Sequence, residues 1–234
     1  NVIYITSDYH EYEFLINKFI FKKLKFFYCG NKSIRTIWLN SIIGNCFFTT
    51  IPDLNIYYWK KSPFVKKYCY IFHSLGSTSM IYNDKAFDYY DVIFCSTDYQ
   101  YSELLTRKEN KKLNYRLYKS GYNHIDYLIS KNLKNSSANN NLIILIAPTW
   151  SIKEEDSDNY IINLIKKLSD QKKINLILRF HPMNRENSIK KIKHLLKDNI
   201  IIDNGNDYIS YFKSDILITD WSTANIEYSI GLLK

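Results

Sequence analysis

A chain of 234 residues with 46% hydrophobic residues has enough apolar material to bury a core in one large domain or two small ones, which excludes an intrinsically disordered segment. Its formal net charge of +9 suits a phosphate-rich partner, whether nucleic acid, anionic lipid or nucleotide. Lysine nonetheless outnumbers arginine 27 to 5 amid abundant Asn, Ile and Tyr, a bias that an AT-rich genome writes without functional intent, so charge alone selects none of these partners.

The chain opens at Asn1 in a strand-like run, Val2 to Ile5, with no initiator Met and no signal-peptide pattern, and stops at Lys234 after an unfinished helical pattern. A fragment truncated at both ends is expected. Tyr12 to Leu24 follows at helical spacing, then come the strand-like runs Cys46 to Ile51, Tyr68 to Phe72 and Val92 to Cys95. This alternation predicts a parallel sheet covered by helices. Cys29, Cys46, Cys69 and Cys95 form no CxxC pair and read as buried, reduced thiols. The polar stretch Lys131 to Asn141, KNLKNSSANNN, reads as a solvated connection, so an N-terminal domain is expected over 1–133 and a C-terminal one over 141–234.

The second half repeats the theme. Leu142 to Ala147, Ile174 to Phe180, Ile200 to Ile202 and Ile216 to Thr219 read as strands, with Asn159 to Leu168, Ser188 to Leu196 and Ala224 to Leu232 as helices. Its short, uninterrupted Ile/Leu/Val runs suit strands buried on both faces, and two Rossmann-like, doubly wound α/β domains are the simplest architecture. No apolar stretch approaches the roughly 20 residues that cross a bilayer.

Ligands of such sheets bind beyond the carboxyl ends of the strands. Those positions hold His73-Ser74-Leu75-Gly76-Ser77, Pro148-Thr149-Trp150, His181-Pro182 and Asp220-Trp221-Ser222-Thr223. His73 and His181 occupy equivalent strand ends, where an imidazole either accepts a proton near neutral pH or is bonded into the structure. Arg179, two residues before His181, either shares its face of the strand and clamps a diphosphate with it or pairs with a carboxylate. Asp220, Ser222 and Thr223 precede a helix, which makes them an anion site or ordinary N-capping residues.

Phosphate-loop, GxGxxG, HExxH and Gly-flanked serine motifs are lacking. The acidic run Glu154-Glu155-Asp156-Ser157-Asp158 reads as a strand-to-helix loop that caps the next helix, so no metal is assigned. Lysines are spread along the chain with no recognised module, and no nucleic-acid partner is expected.

In order along the chain, Phe48-Thr49-Thr50-Ile51-Pro52-Asp53-Leu54, His73-Ser74 with Tyr82, Phe87 and Asp91, Gly121-Tyr122 with Asp126-Tyr127-Leu128, Pro148-Thr149-Trp150, Arg179-Phe180-His181-Pro182 and Thr219-Asp220-Trp221-Ser222-Thr223 resemble the motifs of the CDP-glycerol glycerophosphotransferases of teichoic-acid and capsule assembly. Many members carry His-Gly where this chain has His73-Ser74, and Trp221 and Thr223 replace the commoner Tyr and Ser. The resemblance implies a GT-B fold, two facing Rossmann-like domains, with the nucleotide donor held mainly by the second. It implies that an acceptor hydroxyl attacks the β-phosphorus of CDP-glycerol, or of a similar CDP-alditol, and that CMP departs. His73 would deprotonate the hydroxyl, Arg179, His181, Ser222 and Thr223 would hold the diphosphate, and Thr149 and Glu227 are lesser candidates for the nucleotide, although an exposed helical Glu is the commoner meaning. No cofactor is implied. The implied acceptor is a lipid-linked polymer, and the lysine surplus suits a cytoplasmic protein peripheral on the anionic inner leaflet. Competing readings are a GT-B glycosyltransferase using a nucleotide sugar and a non-catalytic nucleotide- or polymer-binding relative.

Overall fold

Short runs of β-branched and aromatic residues, too brief for helices, set the strands of the computed structural model, which describes residues 2–19, 23–130, 141–149, 154–181, 185–203, 209–220 and 222–231. Two compact units emerge, residues 1–122 and 123–234. In the first, β1 (Val2–Thr6) and β2 (Leu24–Tyr28) pair in parallel around α1 (Tyr9–Lys18). Asp8 caps α1 by accepting the His10 and Glu11 amides at 2.8 and 3.2 Å, so the helix begins before the expected Tyr12. Leu24 belongs to β2, whose aromatic run LKFFY favours a strand.

After α2 (Lys32–Ser41), the sheet β3 (Gly44–Thr49), β4 (Val65–Ile71), β5 (Val92–Cys95) and β6 (Arg116–Lys119) is wholly parallel and ordered as in the chain, with the short α3 (Thr78–Ile81) after β4 and α4 (Asp98–Lys111) between β5 and β6. One face packs an aromatic core of Tyr68, Tyr70, Phe72, Phe87, Tyr90 and Tyr115 with Ile93 and Leu104. On β3, β4 and β6, Phe48, Ile71 and Tyr118 are exposed. Cys29, Cys69 and Cys95 are buried and free, whereas Cys46 is exposed because alternate residues of β3 face solvent, a correction to the expected four buried thiols.

The second unit contains α5 (Asn123–Ser130), β7 (Leu142–Ile146), α6 (Glu154–Ser169), β8 (Ile174–Leu178), α7 (Arg185–Ile192), β9 (Ile200–Ile202), α8 (Ile209–Lys213), β10 (Ile216–Ile218) and α9 (Ala224–Gly231). Its parallel sheet is ordered β10-β7-β8-β9. Period-two alternation sends Ile144, Ile146, Leu176 and Leu178 to one face, against Ile165 and Ile192 of α6 and α7, and Leu145 and Ile177 to the other, against Tyr211 and Ala224 of α8 and α9. This sheet is covered on both faces, as its aliphatic runs predict. The helix α5 packs against α9. The expected domain boundary falls on residues 131–140, outside the described residues.

Two expectations change. The helix α6 starts at Glu154, so the acidic run lies within the helix and not in a preceding loop. The strand β8 stops at Leu178, because its ladder ends with Arg179 N–H donating to Ile146 O and Asp203 N–H donating to Leu178 O, both at 2.9 Å. Arg179 and His181 therefore lie in the loop beyond the strand.

Candidate functional site

In the first unit, His73 follows the last residues of β4, exposed, and desolvation by its surroundings lowers its pKa from the ordinary 6.5. The loop beneath it is held from outside. Tyr122 Oη donates to His73 O at 3.1 Å, and the wholly buried Gln100 donates from Nε2 to Ser74 O and Gly76 O at 3.0 and 2.8 Å while its Oε1 accepts from Ser96 N at 3.0 Å. One helical turn on, Glu103 accepts Ser77 Oγ (2.6 Å), Thr78 N (2.7 Å) and Thr78 Oγ1 (2.5 Å). Desolvation raises the Glu103 pKa, but these hydrogen bonds outweigh it and leave the carboxyl below its ordinary value. The helix carrying both residues, α4, is itself fixed by Arg107, which binds Asp88 bidentately at 2.7 and 2.8 Å and Asp84 at 2.6 Å.

Other motif residues of this unit have structural partners. Asp91 binds Lys61 Nζ at 3.0 Å and accepts Tyr68 N at 2.7 Å. Asp53, with φ of +65°, accepts both its Asn83 hydrogen bonds on the carboxylate, at 3.2 and 3.1 Å. Tyr82 and Phe87 pack with Phe72, and the Tyr82 hydroxyl lies 3.3 Å from Ser74 Oγ.

In the second unit the chain enters the sheet at β7, winds outward through β8 and β9, and returns to the far side of β7 as β10. The strand order therefore reverses between β7 and β10, the position at which doubly wound sheets bind ligands. Three predicted residues meet there. Asp220 accepts Thr149 N–H on both oxygens, at 2.9 and 3.1 Å, and Ser222 N–H at 3.2 Å. Thr219 Oγ1 closes the same corner by donating to Ala147 O at 2.6 Å.

The turn after Asp220 is a helix cap. Ser222 Oγ accepts Ala224 N–H at 3.2 Å, and Thr223 O accepts the Ile226 and Glu227 amides at 3.0 and 3.1 Å. The first amides of α9 are thus engaged within the turn instead of open to a ligand, and the Ser222 hydroxyl retains its own hydrogen for donation. Glu227 is buried, 7% exposed, on the helix that α5 packs against, which corrects the expected exposed reading.

Arg179 is already occupied. Its Nη1 donates to Asp203 Oδ2 at 2.7 Å and lies 3.4 Å from Ser210 Oγ, its guanidinium rests 5.1 Å from the Tyr211 ring, and Ser210 Oγ donates to Asp203 Oδ2 at 2.5 Å. Arg185 adds a hydrogen bond from Nη2 to Asp203 O at 3.0 Å. The carboxylate pairing that sequence left open is therefore present, in an ion pair whose side chains are 13% and 9% exposed. His181 is half-buried, and desolvation lowers its pKa. His124 of α5 is lowered by desolvation and then by the charge of Arg179, which places a further imidazole in the field of this arginine.

Sequence reasoning missed Gln100, Glu103, His124, Arg185 and Asp203. Only His124 and Arg185 carried a signal, each lying within a few residues of a noted motif. Trp150, Pro182 and Trp221 lie outside the described residues. Among the described residues no cluster of His, Cys, Asp and Glu is arranged to hold a metal ion, and no helix is long and apolar enough to cross a membrane.

Two solved structures of the wall teichoic acid polymerase TagF resemble the chain: a histidine-to-asparagine variant soaked with CDPG, at TM-score 0.54 and 16% identity, and TagF itself, at 0.53 and 18%. Each alignment covers 97% of this chain and 59% of the polymerase chain, so this chain spans less than two thirds of their length. The likeness establishes the GT-B-like α/β fold with parallel sheets. No curated protein matches the sequence. Residues 77–231, more than half of the chain, match the family described as CDP-glycerol:poly(glycerophosphate) glycerophosphotransferase, and this chain belongs to that family.

Proposed function

We propose that the protein transfers glycerol phosphate, or a related alditol phosphate, from a CDP-activated donor to a hydroxyl of a cell-surface polymer and releases CMP. The observation that carries this reading is the position of the family match, which spans both the switch-point turn and the Arg179–His181 loop. The CDPG soak of TagF supports the choice of donor.

His73 takes the proton of the acceptor hydroxyl, whose oxygen forms a bond to the β-phosphorus while the bond from that phosphorus to the bridging oxygen breaks and CMP leaves with the electron pair. A histidine whose pKa lies below 6.5 is neutral, and so a competent base, at pH 7. His181 and the Ser222 and Thr223 hydroxyls stabilise charge on the diphosphate, the larger task in phosphoryl transfer. Arg179, oriented by Asp203 and Tyr211, adds a fixed positive field, and Thr149, Asp220 and Glu227 shape the nucleotide side. The acceptor is lipid-linked, and the excess of lysine favours work at an anionic inner leaflet.

The test incubates the full-length protein with CDP-glycerol, CDP-ribitol and nucleotide sugars beside a lipid-linked acceptor. CMP release with glycerol phosphate entering the polymer is expected, and UDP or GDP release from a nucleotide sugar would instead make it a glycosyltransferase. His73→Ala should lower turnover by about 10²- to 10⁴-fold, the usual worth of a general base, with CDP-glycerol affinity nearly unchanged. Normal turnover removes His73 from this role.

A further inference from the structure

Three backbone carbonyls of the loop after β4, those of His73, Ser74 and Gly76, accept hydrogen bonds from side chains that lie 24 to 49 positions further along the chain. Gln100 supplies two of these bonds, and its own oxygen is held by Ser96 N–H. Its amide has one orientation available, because exchanging nitrogen and oxygen would set an oxygen against two carbonyls and an NH₂ against an N–H. It is 0% exposed, and it stands on a helix anchored by Arg107 to Asp84 and Asp88. A glutamine buried this deeply is costly unless fully bonded, and all three of its bonds are spent on two short segments, one of them the loop that carries His73.

We propose that Gln100, assisted by Tyr122, is a positioning residue that fixes the placement of the His73 imidazole and thereby sets the rate of proton removal from the acceptor, without taking part in donor binding. The inference rests on the reading of His73 as the general base. Proton transfer depends steeply on geometry, and displacement of a reacting group by about 1 Å costs on the order of 100-fold in rate. Gln100→Glu is close to isosteric, keeps an acceptor for Ser96 N–H and replaces both donors with a carboxylate oxygen facing two carbonyls. Tyr122→Phe removes one hydroxyl from an exposed bond and leaves the fold intact.

The experiment measures kcat and KM for CDP-glycerol on the full-length protein, for both variants, for His73→Ala and for His73→Ala combined with each. The expected result is a fall in kcat of about 30- to 100-fold for Gln100→Glu and about 3- to 10-fold for Tyr122→Phe, with KM for CDP-glycerol within twofold and no additional loss in the His73→Ala background. Should Gln100→Glu fail to fold, the Tyr122→Phe pair decides alone. Wild-type kcat in both variants while His73→Ala is inactive overturns the positioning role and leaves the catalytic reading standing, as does a loss that adds in full to that of His73→Ala. Wild-type turnover by His73→Ala overturns both.

Discussion

The two units build parallel sheets from different material and prepare their candidate residues by different means. In the first, strands follow chain order, the core is aromatic, and His73 owes its placement to side chains reaching from α4. In the second, the core is aliphatic and strand order reverses beside β7, so Thr149, Asp220 and Ser222 meet because two neighbouring strands end together. Where topology makes the crevice, the residues follow from strand ends. Where it does not, a clamp of buried polar side chains does the positioning, and its members are scattered in sequence.

The comparison can be sharpened first through its ion pairs. Asp203→Ala strands Arg179 with its carboxylate partner removed, in surroundings where both side chains are largely buried, and should destabilise the second unit by about 3–5 kcal/mol. Lys61→Ala removes a more exposed pair with Asp91 from the first and should cost under about 1 kcal/mol. Chemical denaturation with amide exchange resolved by unit checks both, and equal losses would break the contrast.

Acid should then separate the units. His124 and His181 in the second and His73 in the first all have folded pKa values below 6.5 through desolvation. The unfolded chain takes up protons near 6.5 while the folded one resists until lower pH, so this stability is present above that value and is lost as pH falls below it. Two of the three histidines lie in the second unit, so its amide protection should decline more. Equal decline in the two units would refute this.

The smallest effect has opposite signs at two tyrosines of the aromatic core. Tyr70 is wholly buried and its hydroxyl, although it interacts with that of Tyr82, has no partner in hydrogen-bond geometry, so Tyr70→Phe should raise stability by up to about 1 kcal/mol. Tyr90 Oη donates to Ile51 O, so Tyr90→Phe should lower it by about 1 kcal/mol. Thermal melts of both variants, shifted the same way, would show that the hydroxyls do not differ in this manner.

How far the molecule could be read from its sequence follows the same division. The strands Val92–Cys95 and Ile200–Ile202 fall on the expected residues because unbroken apolar runs leave no other conformation that buries them. The helix α4 was not visible, since it buries little beyond Gln100 and Leu104 and has no wide apolar stripe. Nor was β6, a four-residue edge strand largely open to solvent. At the switch point, the rule that ligands gather at strand ends picked out Thr149, Asp220 and Ser222. It could not find Gln100, an unremarkable helical glutamine until the loop 24 to 26 positions earlier comes against it. Asp203 was hidden for a similar reason: its partnership with Arg179 exists only because β9 lies beside β8. Glu227 was misjudged because its helix is packed by elements distant in sequence, the β7–β8 face of the sheet and α5.

The reversal of strand order also has a kinetic meaning. Thr149 and Asp220 are 71 positions apart, and among the described residues β10 has no neighbour but β7 in its sheet. Pairing over such a separation carries more loop-closure entropy than either of the helical crossovers that join β7 to β8 and β8 to β9, so the crevice should form late, on a scaffold already assembled. During synthesis, Thr149 and Asp220 remain apart until β10 and the turn at Ser222 leave the ribosome, and a chain stopped short of them retains most of its sheet while lacking the corner where strand order turns back.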